Sequence, residues 1–173
     1  GNDFFFAFHS VLFGENRTPV RFPRLHFPEY KFTIRPAGKD GDSVKIFDII
    51  RGRYVSLTPE EWVRQHLLHF LLVDRSYPKG LIAVEKSLKV GTLDKRFDIL
   101  VYNREHHPIL LAECKAPEIP LDQLVFDQAA RYNRTLQVPY LLITNGLETK
   151  LCRVDPDRQV LVPLPDLPGH SEL

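Results

Sequence analysis

The chain has 173 residues, 43% of them hydrophobic and 26% charged, with a formal net charge of +1. That size and balance fit one soluble domain, with or without an extension, which buries roughly two-thirds of its unfolded surface and needs no staples. The near-zero charge excludes a global polyanion-binding surface, so any contact with nucleic acid must come from local clusters of Lys and Arg.

The first 43 residues carry Pro19, Pro23, Pro28 and Pro36, which forbid a long helix. They are expected to form an irregular arm with one strand near Tyr30–Ile34. Its aromatic residues (Phe4, Phe5, Phe6, Phe8 and Phe13 among them) either wrap the core or face a second copy of the chain. The run FFFAFHSVLF is about ten residues long and lacks a basic flank, so it reads as neither a membrane span nor a signal peptide. Cys114 and Cys152 have no framework or zinc spacing, and Cys114 sits in an apolar run as a buried thiol. A reducing, cytoplasmic setting and no membrane partner are expected.

Residues 44–57, VKIFDIIRGRYVSL, hold two short strands about Arg51-Gly52. Thr58-Pro59-Glu60-Glu61 then starts a helix: Thr58 as N-cap, Pro59 at N1, and Glu61 at N3 completing a capping box. The helix runs to about Val73, with Val63, Leu67, Phe70 and Leu71 on one apolar stripe. Strands follow at 81–90, 96–103 and 108–117. Residues 122–137 form a second helix, on which Val125, Ala129, Tyr132 and Leu136 share a face. Val138-Pro139 stops it. Residues 140–146 form a strand ending in an Asn-Gly turn, with 149–154 as its partner. The tail, 157–173, is Pro-rich and expected to be irregular. The order gives an α/β domain over 44–156, a central mixed β-sheet flanked by helices.

The chemistry concentrates in LLAECKAP, residues 110–117. Strand alternation puts Glu113 and Lys115 on one face, roughly 7 Å apart, with Ala112 and Cys114 on the other. If the hairpin before it is symmetric about Glu105–His106, Tyr102 opposes Ile109 and Asp98 opposes Glu113. Two opposed carboxylates repel. Three devices can offset this: a raised carboxylate pKa, Lys115 as counter-ion, or a divalent cation. Mg²⁺ or Mn²⁺ would take Asp98 and Glu113 as protein ligands, with the Cys114 carbonyl as a third. Lys115 would then lie beside the attacking water of a phosphodiester hydrolysis. A surface salt-bridge cluster is the plainer alternative.

This set resembles the PD-(D/E)xK nuclease superfamily and, more narrowly, the N-terminal nuclease-type domain of type I restriction enzyme R subunits. The resemblance spans about residues 44–155. It is carried by IAVEKSL with Glu85, RFDILVYN with Asp98, LLAECKAP with Glu113 and Lys115, DQAARYN with Gln128 and Tyr132, and TNG at 144–146. It implies a restriction-endonuclease-like core and an Mg²⁺-dependent endonuclease acting on DNA. Asp98 and Glu113 would bind metal, Lys115 would position water or stabilise the transition state, and Gln128 and Tyr132 would support Lys115 or contact DNA. Phe97 stands where the motif nominally has Pro. The sequence holds no Walker-type loop, so restriction-modification subunits or a motor on another chain are the expected partners. A homodimer is a second route to cutting both strands.

Other residues have two readings each. Glu61 lies where the superfamily often has a helix-borne acid, but the capping box explains it by spacing alone. Glu85 either adds a carboxylate to the site or is solvated. Gln128 also fits a solvent-facing position and Tyr132 a core position. Lys86, Lys89, Lys95 and Arg96, with Arg131 and Arg134, either hold DNA phosphates or form a solvated face. His66, His69, His106 and His107 read as packed or solvated rather than ligating. The alternative function is a non-catalytic DNA- or protein-binding domain that retains the nuclease fold. A third reading makes the acidic pair structural, with one carboxyl protonated.

Overall fold

The structure, a computed structural model, describes residues 8–11, 20–38, 43–155, 157 and 160–173. Predicted features on other residues, the Phe4–Phe6 run and Phe13 among them, lie outside the described residues. Two four-residue strands, β1 (Phe8–Val11) and β2 (Val20–Pro23), pair antiparallel. β3 (Ile34–Ala37), β4 (Ser43–Asp48) and β5 (Arg53–Ser56) form a three-stranded antiparallel sheet. The strand expected near Tyr30–Ile34 therefore begins where that stretch ends. Gly52 supplies the positive φ of +64° that turns β4 back into β5.

Helix α1 (Pro59–His69) starts as its sequence dictates, with the Glu61 amide donating to Thr58 Oγ1 at 3.1 Å. It ends four residues before the expected Val73 and continues as one π-helical turn, Phe70–Asp74. Its burial also differs from a single stripe, because every residue from Glu61 to Leu68 is buried. The arm accounts for this. Phe22 and Phe32 pack on Trp62, with ring centroids 5.2 and 5.0 Å away, and Trp62 Nε1 donates to the Pro23 carbonyl at 3.0 Å. Phe32 also stacks against His66 and His69. Phe22 and Phe32 of the arm thus pack on the core.

β6 (Ile82–Val90), β7 (Leu93–Tyr102) and β8 (Pro108–Cys114) form a meander. α2 (Gln123–Leu136), capped by Asp122, crosses over to β9 (Tyr140–Thr144), which pairs parallel to β8. β10 (Thr149–Asp155) returns antiparallel through the Asn145-Gly146 turn. The tail is not wholly irregular, because β11 (Val160–Pro163) adds to the edge. Its alternating Val and Leu fit that role. The result is a six-stranded mixed sheet in the order β11-β10-β9-β8-β7-β6, so the expected α/β class holds.

The sheet separates two cores. Ile99, Val101, Leu110, Ala112 and Cys114 pack with Trp62, Val63, Leu67 and Leu68 of α1. Phe97, Leu100, Leu111, Leu141 and Ile143 pack with Val125, Phe126 and Leu136 of α2. Gly146, at φ +84°, leaves no room for a Cβ, which would meet Leu25 at 2.8 Å; the arm docks here through His26 N to the Gly146 carbonyl. Among the described residues no helix is long and apolar enough to cross a membrane.

Candidate active site

The β7–β8 hairpin keeps the expected register over most of its length: Val101 faces Leu110 and Ile99 faces Ala112. Continuing it places Asp98 opposite Glu113. Near the turn the register differs, because a bulge between Val101 and Tyr102 pairs Tyr102 with Pro108 instead of Ile109. A proline cannot donate to the ladder, and the strand yields at that point.

Asp98 sits where regular pairing fails on both sides. Toward β8 the strands part after Ile99–Ala112. The Cys114 amide, which would continue the ladder, donates instead to Asp98 Oδ2 at 2.7 Å. Toward β6 the pairs Val84–Ile99 and Lys86–Phe97 flank a gap occupied by Glu85, whose φ is +51°. A left-handed backbone is costly for Glu and marks a local distortion. The alternation of β7 slips here too. Phe97 and Leu100 both face the α2 core, while Ile99 and Val101 face α1. Asp98 is thereby free to reach α1, where Arg64 Nη2 donates to its Oδ1 at 2.8 Å.

Glu113 meets Asp98 directly. Its carboxyl is pushed up to about 8, first by burial and then by the charge of Asp98 and a hydrogen bond to it; Lys115 and Lys95 pull the other way. Burial and the Asp98 charge thus favour a proton on Glu113, the first of the three devices that could offset the acidic pair, while the Lys115 charge, the second, also acts on it. Lys115, just beyond β8, extends the parallel ladder with its amide on the Thr144 carbonyl at 2.8 Å. Its charge acts on Glu113 and also on Glu60. Asp98, Glu113 and Lys115 therefore come together. Cys114 meets Asp98 through its amide. Its thiol is buried and held neutral, well above its usual range, by burial and then by Asp98.

This raised carboxyl makes stability depend on pH. Between about 4.5 and about 8 the folded protein holds a proton on Glu113 that the unfolded chain releases. The stabilisation is complete below the ordinary carboxylate range and is lost as pH rises through about 8. In EDTA the thermal midpoint should therefore fall between pH 5 and 9. The change is on the order of a few kcal/mol at most, less after solvent screening. Glu113→Gln should flatten the curve, and an unchanged slope in that variant would contradict the assignment.

The remaining predicted residues divide. Glu61 does not turn back to cap Thr58. Its carboxylate is buried and accepts from Arg51 Nη2 at 2.7 Å, from Gln65 Nε2 at 2.8 Å and from Arg64. Glu85 accepts from Arg51 Nη1 at 2.5 Å and forms an ion pair with Arg96 at 3.2 Å. Both belong to a charge network behind the site. Lys86 and Lys89 are exposed along β6, Arg96 on β7 is exposed, and Lys95 is half-buried and acts on Glu113. Gln128 and Arg131 are exposed on α2, and no hydrogen bond among the described residues links Gln128 to Lys115. The side chains of Tyr132 and Arg134 lie outside the described set. His66 and His69 each place Nδ1 on a helix carbonyl four residues back. Among the described residues, no three His, Cys, Asp or Glu side chains gather as a metal cluster.

Three participants escape a reading of the sequence. Arg64 is 4% exposed and joins Asp98, Glu61 and Glu60, the last at 3.0 Å. Burial works against its charge, yet Asp98 and Glu61 hold the guanidinium well above its usual value. Glu60 is raised by burial and then by Asp98, against Arg64 and Lys115, so it stands beside the site where Glu61 was expected. Arg51, on the β4–β5 turn, ties Asp48 at 2.6 Å to Glu61 and Glu85. Glu60, Glu61 and Arg64 have the spacing of helix-surface ion pairs, yet Glu61 and Arg64 are buried, held by Arg51 and by Asp98 of β7.

A family model described as Type I restriction enzyme R protein N terminus (HSDR_N) matches residues 59–168. Among solved structures the chain is similar to a fragment assigned as an HsdR subunit of a type I restriction enzyme from Vibrio vulnificus YJ016. The identity is 21% and the TM-score 0.48, covering 68% of this chain and 24% of that one. The chain thus spans about a quarter of that fragment's length. No curated protein matches it.

Proposed function

The chain belongs to the type I restriction enzyme R protein N-terminus family, and from that premise we propose that it is a PD-(D/E)xK-type nuclease domain hydrolysing DNA phosphodiester bonds with Mg²⁺ or Mn²⁺. The observation that carries this reading is the contact of Asp98 with Glu113 beside Lys115, at the end where β7 and β8 part. Two half-buried carboxylates in contact, one of them favoured in its protonated form, offer a place where a divalent cation can replace that proton. The donor set fits Mg²⁺, which needs one or two carboxylates and fills its other positions with water and a substrate phosphate.

Asp98 and Glu113 would hold the ion, next to the Cys114 carbonyl. When bound, it supplies positive charge at the attacked phosphate. The protein's own groups do the rest. The Lys115 ammonium donates to the attacking water and to phosphate oxygens. Arg64 and the Cys114 amide fix the Asp98 carboxylate from two sides. Lys86, Lys89 and Arg96 offer phosphate contacts along the β6–β7 hairpin. Motor or specificity subunits on other chains would deliver DNA to the site.

The test is plasmid DNA incubated with the purified chain in Mg²⁺ or Mn²⁺ and in EDTA. Nicking or linearisation that EDTA abolishes is the expected result. One observation favours a second reading: both Asp98 oxygens already have donors. A metal-free DNA- or protein-binding module would shift DNA equally in EDTA and leave the plasmid intact under every condition.

A further inference from the structure

The Asp98 carboxylate is already served by a resident cation. Arg64 reaches Oδ1 at 2.8 Å from a side chain only 5% exposed, so little water screens the pair. The guanidinium is not free to leave. Glu61 and Glu60 hold its two terminal nitrogens, and Glu61 is in turn held by Arg51 and Gln65. Arg51 is braced by Asp48, whose carboxylate is fully buried and also accepts the Ile50 and Arg51 amides at 2.8 and 2.6 Å. Among the described residues, none partners the buried Arg64 Nε, so the side chain is placed by its terminal contacts rather than by a fully satisfied pocket. A line of bonded charges thus runs from the β4–β5 turn through α1 to Asp98.

A cation fixed this close to a prospective ligand oxygen has a definite consequence. It orients the carboxylate, and it also repels a second cation arriving at the same group. We propose that Arg64 is a positioning residue that competes with the divalent ion for Asp98, so that the metal site has low affinity until a DNA phosphate adds negative charge. Metal and DNA then bind cooperatively, each raising the affinity for the other by the same factor. The inference rests on the metal-dependent reading above and specifies how that site is regulated.

The experiment is Mn²⁺ binding to the full chain, followed by the electron paramagnetic resonance of free Mn²⁺ without DNA. The proteins are wild type, Arg64→Met, Arg64→Lys, Asp98→Asn and the double variant Arg64→Met/Glu61→Gln. The double variant removes a cation together with its buried partner, so it keeps the local charge sum and the fold if Arg64→Met alone does not. Arg64→Met, or the double variant, should bind Mn²⁺ about ten-fold or more tightly than wild type, and Arg64→Lys should stay near wild type. A purely structural Arg64 could only weaken binding when removed, so tightening is diagnostic. Binding that Asp98→Asn abolishes but the Arg64 variants leave unchanged or weaker would overturn this inference alone. No Mn²⁺ binding by any variant would overturn the metal reading and this inference with it.

Discussion

Asp98→Asn and Glu113→Ala should each lower metal-dependent DNA cleavage by about a thousand-fold or more. The expected size follows from what each substitution removes. Asp98 and Glu113 are in direct contact at the parted strand end, and the Lys115 charge acts on Glu113. Without either one, the remaining carboxylate is a poor site for Mg²⁺, and the charge that stabilises the transition state goes with the ion. Asn is the better probe at position 98. Its side-chain oxygen can still accept the Cys114 amide or Arg64, which Ala would leave unsatisfied at about 1–3 kcal/mol. Circular dichroism should show both variants folded. Cleavage that persists in both would remove the nuclease assignment.

The second large effect concerns stability. Arg51→Met should destabilise the protein by about 3–5 kcal/mol in urea, because it strands several buried carboxylates at once. Asp48 is fully buried, Glu61 is 5% exposed, and both lose a guanidinium contact of 2.6–2.7 Å, as Glu85 loses one of 2.5 Å. Gln65 still donates to Asp48 and Glu61, but an amide does not replace a charge. Arg96→Ala is the natural control. It also pairs with Glu85, but its side chain is 67% exposed, and such pairs contribute little. Equal midpoints for the two variants would show that the buried network contributes nothing special.

Comparison of these residues shows what a sequence can disclose. Asp98 and Glu113 were legible because a hairpin is local: two strands, a short connection and an alternation of period two bring them opposite each other. Thr58-Pro59 disclosed its helix start for the same reason, and Asn145-Gly146 its turn. Arg64 and Arg51 were not legible. Their roles depend on how α1 docks between the sheet and the arm, and no spacing along the chain records that. Glu61 shows the same limit within one residue. Its amide obeys the local capping rule, while its carboxylate obeys the tertiary network. The shortened β7–β8 pairing and the distortion at Glu85 were likewise hidden, since alternation carries no sign that a strand will slip by one position.

β6 closes the six-stranded sheet on one side, and among the described residues nothing pairs with its outer edge. A nine-residue strand left open in this way is a template on which other chains can polymerise. Two of its features resist that. Glu85 breaks the regular row of backbone donors and acceptors with its φ of +51°, and the exposed Lys86 and Lys89 would repel the same strand of an approaching copy. The lysines proposed for phosphate contacts would therefore also oppose pairing between copies of β6. Variants that neutralise them should scatter light at concentrations where the unmodified chain stays clear, even with the Asp98–Glu113 site untouched.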